Sequence, residues 1–137
     1  DILEDVTPLN STTYNYSSIE FKFGENVAKL VNELTDEYTK ENYPKFNRES
    51  RKNMEALRLA TVSPAAKLIK LADLWSNTKS IVFEDAGFAK TYLKEKANVL
   101  PRLKIKGKGK ILWWIVWGQL KLSQLYLKIV SLWNTKV

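Results

Sequence analysis

From Pro64 the chain meets no further glycine or proline until Gly87, and Ser63 stands immediately before that proline. No other feature constrains the fold as strongly. A serine hydroxyl can accept from one of the unpaired N–H groups that open a helix, and proline has no N–H to leave unpaired at the first helical position. The spacing predicts a helix of about five turns. Ala65, Leu68, Ala72 and Trp75 recur at three- and four-residue steps and form its expected buried stripe. Lys70, Asp73 and Asn77 share a neighbouring face. Asp73 is there either as a solvated charge partnered by Lys70 or as a carboxylate held beside the apolar stripe for a purpose. Spacing leaves both readings open.

The flanking segments read as further helices. Pro8 to Ser18 is a polar loop, after which Ser17 or Ser18 is expected to cap a short turn ending at Gly24. Val27, Leu30, Val31 and Leu34 make an i, i+3, i+4, i+7 stripe over 25–35. Asn47 is the expected cap of a helix to about Ala60, with Met54, Leu57 and Ala60 inward. Arg48, Arg51, Lys52 and Arg58 give that helix a basic side, either merely solvated or shaped for phosphate oxygens. Phe88, Ala89, Tyr92, Leu93 and Leu100 support another helix, closed by Pro101. No strand pattern, repeat or glycine-rich phosphate loop occurs in residues 1–100, so the expected fold class is all-α.

Composition removes several chemistries. The 137 residues bound the chain to about one domain and contain neither cysteine nor histidine. Disulfides, thiolate chemistry and any imidazole supplied by these residues are excluded. The net charge of +7 is not spread evenly. Residues 1–60 hold 8 basic and 11 acidic side chains, whereas residues 101–137 hold 8 basic and none acidic. The basicity belongs to the tail. The opening Asp1-Ile-Leu-Glu-Asp-Val-Thr has no initiator Met, basic n-region or signal peptide. If helical, it places Asp1, Glu4 and Asp5 on one face. Such crowding persists where a cation or proton relieves it, or as an acidic first turn favoured by the helix dipole.

Several of these stretches, in order, resemble the HD-domain metal-dependent phosphohydrolases. They are Asp1-Ile-Leu-Glu-Asp, Phe23 to Asp36, Arg51-Lys52, the run Ser63 to Thr78 and Phe88 to Lys96. The branch they are most similar to is the small RelA/SpoT-type hydrolases, which remove pyrophosphate from the 3′ position of the alarmone ppGpp. The resemblance covers residues 1–100, as a partial HD-type domain lacking its N-terminal metal-histidine helices. It implies that Asp1 and Asp73 are metal ligands, with a histidine expected immediately before Asp1 and another further upstream. Glu4 and Asp5 are implied to position and deprotonate the attacking water. Asn77 and Ser80 match positions that contact the nucleotide, and Lys70, Arg51 and Lys52 are candidates for its phosphate arm. The cofactor implied is a divalent metal, with mixed oxygen and imidazole ligation pointing to manganese over zinc or iron. A cytoplasmic enzyme is implied, with little activity expected of these residues alone. The rival expectations are a non-catalytic nucleotide-binding module and a membrane-surface protein.

The segment 101–137 departs from that pattern. A basic linker broken by Gly107 and Gly109 leads to an apolar run, Ile111 to Trp117, too short to span a bilayer. Leu122, Leu125, Tyr126, Ile129, Val130 and Trp133 keep helical spacing. An amphipathic helix over 111–133 is expected, packed on the domain, self-associating, or lying at a membrane surface. A nucleic-acid partner is not expected, because the aromatics form one block apart from the lysines.

Overall fold

The computed structural model describes residues 15–134. All regular structure among them is helical: α1 (Tyr16–Phe23), α2 (Glu25–Leu34), α3 (Arg48–Leu59), α4 (Pro64–Glu84), α5 (Ala86–Val99), a 3-10 turn (Leu100–Leu103) and α6 (Gly109–Asn134). The all-α expectation holds. The chain divides into two compact units, residues 1–66 and 67–137, and the division falls inside α4.

In the first unit, α1 begins earlier than the serines suggest. Asn15 is the cap, its side-chain oxygen accepting from the Ser18 N–H at 2.9 Å. Asparagine competes on equal terms with serine for this role, so the expected loop gives way to helix from Tyr16. On α2, Ala28 is buried and Leu30, Val31 and Leu34 are half-buried, while Val27, expected inward, is exposed. Asn47 caps α3 as its position predicts, accepting from the Ser50 N–H at 2.8 Å.

The register of α3 is one residue away from expectation. Glu55, Ala56 and Leu59 are buried, whereas Leu57 is 59% exposed, Ala60 is exposed and Met54 is half-buried. The cause is polar. Glu55, only 4% exposed, accepts from the backbone N–H groups of Glu37 (3.1 Å) and Tyr38 (3.2 Å) through one carboxylate oxygen. Its other oxygen accepts from Arg58 Nε (2.8 Å) and Nη2 (2.5 Å). Arg58 in turn donates to the carbonyls of Glu33 and Thr35, both at 3.1 Å. A buried carboxylate is tolerated only when paired and hydrogen-bonded, and here it ties the end of α2 and the following turn to α3.

Ser63 opens α4 as expected. Its hydroxyl accepts from the Ala66 N–H (3.2 Å) and donates to Glu33 Oε2 (2.7 Å), while its own N–H donates to Glu33 Oε1 (2.8 Å).

The second unit is built from the rest of α4 with α5, the 3-10 turn and α6. Within this unit Leu71, Leu74, Thr78 and Val82 are the buried positions of α4. The expected stripe of Ala65, Leu68, Ala72 and Trp75 lies exposed, Trp75 at 42%. Apolar residues fill most positions from Leu68 to Trp75, so two overlapping stripes compete and the partner helices decide between them. Asp85 caps α5 through the Phe88 N–H (2.9 Å), and Ala89, Leu93 and Val99 face the core with Leu100 and Leu103 of the turn.

The tail forms part of this core. Val116, Leu120 and Ser123 of α6 are buried. Ser123 Oγ donates to the Thr78 carbonyl at 2.7 Å and accepts from Gln119 Nε2 at 3.1 Å. Trp113 Nε1 donates to the Leu100 carbonyl at 2.8 Å, tying α6 to the start of the 3-10 turn. Two glycines prepare this docking. Gly107 takes φ +70°, and a Cβ on Gly109 would fall 2.9 Å from Ile105 Cγ2, closer than a side chain permits.

Candidate functional site

Four sequence-predicted residues lie on α4 within the second unit. Lys70, Asp73, Asn77 and Ser80 stand three and four positions apart, so the helix carries them on one face. This face is adjacent to the buried one: Lys70 and Ser80 are half-buried, Asp73 and Asn77 exposed. Asn77 Nδ2 donates to Asp73 Oδ1 at 2.9 Å, which fixes the amide and occupies one carboxylate oxygen. The Ser80 hydroxyl lies 3.5 Å from the Asn77 carbonyl, at the outer limit of a hydrogen bond.

Tyr92 of α5 joins this face, although its spacing suggested only a core position. Its phenol pKa is pushed up to about 12, first by burial and then by the nearby Asp73 carboxylate, while a hydrogen bond from Asn77 opposes the shift. A tyrosine phenol is neutral at ordinary pH, and the shift keeps this one protonated well into the alkaline range. Phe88 and Lys96 lie on the same side of α5. The Phe88 ring centroid is 6.1 Å from that of Tyr92, and Lys96 Nζ lies 4.9 Å from the Tyr92 ring centroid. The assembled set is thus a carboxylate, an amide, a protonated phenol and an ammonium. It offers oxygen ligation and hydrogen bonding to a polar, phosphate-bearing or sugar-bearing molecule. The signal for Tyr92 was the i, i+4 step from Phe88, but its approach to Asn77 depends on how two helices pack.

The other predicted residues are placed differently. Arg51 and Lys52 belong to α3 in the first unit. Arg51 Nη1 donates to the Phe46 carbonyl, and Lys52 Nζ lies 3.4 Å from Asp36 Oδ2. Asp1, Glu4 and Asp5 lie outside the described residues. Among the described residues no group of three or more acidic, histidine or cysteine side chains is placed to hold a metal. Asp73 suits a divalent ion by its hard, exposed oxygen, but one carboxylate is a small part of such a shell. No helix among the described residues is long and apolar enough to cross a membrane. No family model matches the chain, and no curated protein or solved structure is significantly similar to it.

Proposed function

We propose that the chain carries part of an HD-type, metal-dependent phosphohydrolase acting on a nucleotide, with the 3′-pyrophosphate of ppGpp as its substrate group. The observation that supports this reading is the joining of Asp73 and Asn77 by a 2.9 Å hydrogen bond beside the neutral phenol of Tyr92. Those are the residues that the resemblance assigns to the metal and to the nucleotide, and Tyr92 adds a donor between them.

In this reading Asn77 and Ser80 orient the sugar and phosphate, Tyr92 donates to a phosphate or ribose oxygen, and Lys70 offsets phosphate charge. Glu4 and Asp5 align a water and accept its proton. The water oxygen bonds to phosphorus, the bond to the 3′ oxygen breaks, and the proton returns to that oxygen, giving pyrophosphate and a free 3′ hydroxyl. Asp73 would be one ligand of the implied manganese, which when bound would supply Lewis acidity and neutralise phosphate charge.

The test is pyrophosphate release from ppGpp with Mn²⁺. These 137 residues contain no histidine and should give little turnover. Joining them to an upstream segment that supplies the implied histidines should bring turnover, and Asp73→Asn in that longer protein should return it to background. Efficient turnover by the 137 residues alone, or unaffected turnover in Asp73→Asn, refutes the assignment. Tight ppGpp binding without turnover in the longer protein would select the binding-module reading instead.

A further inference from the structure

The outward face of α6 is as apolar as its buried one. Val116, Leu120 and Ser123 point into the second unit, while Ile111, Trp114, Leu122, Leu125, Ile129 and Trp133 are exposed, Trp114 at 60% and Leu122 at 64%. At 100° per residue these six fall on the side of the helix opposite the buried positions. Contiguous exposed apolar surface of this kind on one helix marks a contact surface.

Charge says what the contact is with. Lys110, Lys121 and Lys128 recur at intervals of 11 and 7 residues, so they form one row along the edge of that apolar face. Residues 101–137 hold no acidic side chain. We infer that α6 docks flat on an anionic lipid surface: its outward apolar face enters the acyl boundary, while the lysine row along its edge meets the headgroups. Lysine stems can lie along apolar surface while their ammonium groups reach phosphate, and tryptophan suits the boundary between the two. Lys121 Nζ already lies 5.9 Å from the Trp117 ring centroid, at the junction of the two faces. A second copy is a poorer occupant, because antiparallel pairing of two such helices sets lysine rows together with no carboxylate of residues 101–137 to offset them.

Four of the five tryptophans lie in α6, so their emission reports its environment. The experiment adds the full chain to vesicles of phosphatidylcholine with about one third phosphatidylserine, and to phosphatidylcholine alone, reading Trp emission and co-sedimentation. Blue-shifted emission and sedimentation with the anionic vesicles are expected. Lys110→Gln, Lys121→Gln and Lys128→Gln together should weaken binding about a hundredfold, since each basic side chain near an anionic leaflet contributes a factor of roughly five. Leu125→Glu with Ile129→Glu should abolish binding, with unchanged far-UV circular dichroism confirming that these exposed positions leave the fold intact. Equal binding to neutral vesicles overturns the electrostatic half of the inference. No vesicle binding, or a concentration-dependent dimer that excludes vesicles, overturns it entirely.

Discussion

Removing the Glu55 carboxylate tests whether α3 is oriented by a polar tie. Glu55→Ala deletes the acceptor of two backbone N–H groups and the counter-charge of Arg58, whose side chain is 17% exposed. Breaking a buried pair by removing one partner costs about 3–5 kcal/mol. Arg58 keeps its bonds to the Glu33 and Thr35 carbonyls, so the lower end applies: about 3 kcal/mol. Glu55→Gln retains one acceptor oxygen and should cost about half as much, near 1.5 kcal/mol. Urea denaturation followed by far-UV circular dichroism reads both changes. With a slope of about 1–2 kcal/mol/M, Glu55→Ala should lower the midpoint by roughly 1.5–3 M. Glu55→Ala with Arg58→Ala should cost less than the sum of the single changes, because the second removes the charge that the first strands. A loss below about 1 kcal/mol for Glu55→Ala, or equal losses for Ala and Gln, would refute the argument that this buried carboxylate sets the register.

Two further outcomes follow from the hydrogen bonds and the phenol. Ser63→Ala removes the cap of α4 and one of two bonds to Glu33, and should cost about 1–2 kcal/mol in the same assay; Ser63→Thr, which keeps the hydroxyl, should recover most of it. Tyr92 favours its neutral form when folded, so its contribution to stability is fully present below the unfolded phenol value near pH 10 and is lost as pH rises through about 12. Ultraviolet difference titration should show Tyr92 ionising late, and Asp73→Asn should bring that titration to lower pH.

Where the fold was legible, a local rule sufficed. Asn47, and Ser63 before Pro64, announce helix starts because capping involves only residues within one turn. Helix existence was equally plain from apolar recurrence for α2 to α6, whereas α1 reads as a loop and short turn. The face each helix buries was less so. Leu68 to Trp75 offers apolar residues on two overlapping stripes, and only tertiary packing, which buries Leu71 and Leu74, selects between them. On α3 the deciding group is a glutamate whose partners include two backbone N–H groups 17 and 18 positions away, and no side-chain pattern encodes those. The candidate site divides in the same way. Asp73 and Asn77 are one helical turn apart and visibly share a face, whereas Tyr92 joins them only through helix packing.

The bond from Ser123 to the Thr78 carbonyl joins groups 45 positions apart. During synthesis from the N-terminus, at about 5–20 residues per second, Thr78 leaves the site of peptide-bond formation roughly 2–9 s before its partner is added. Thr78 is fully buried in the finished molecule, so over that interval its turn of α4 has no lid from α6. That turn of α4 is therefore closed only after both segments have left the ribosome, and the second unit is finished by its last helix.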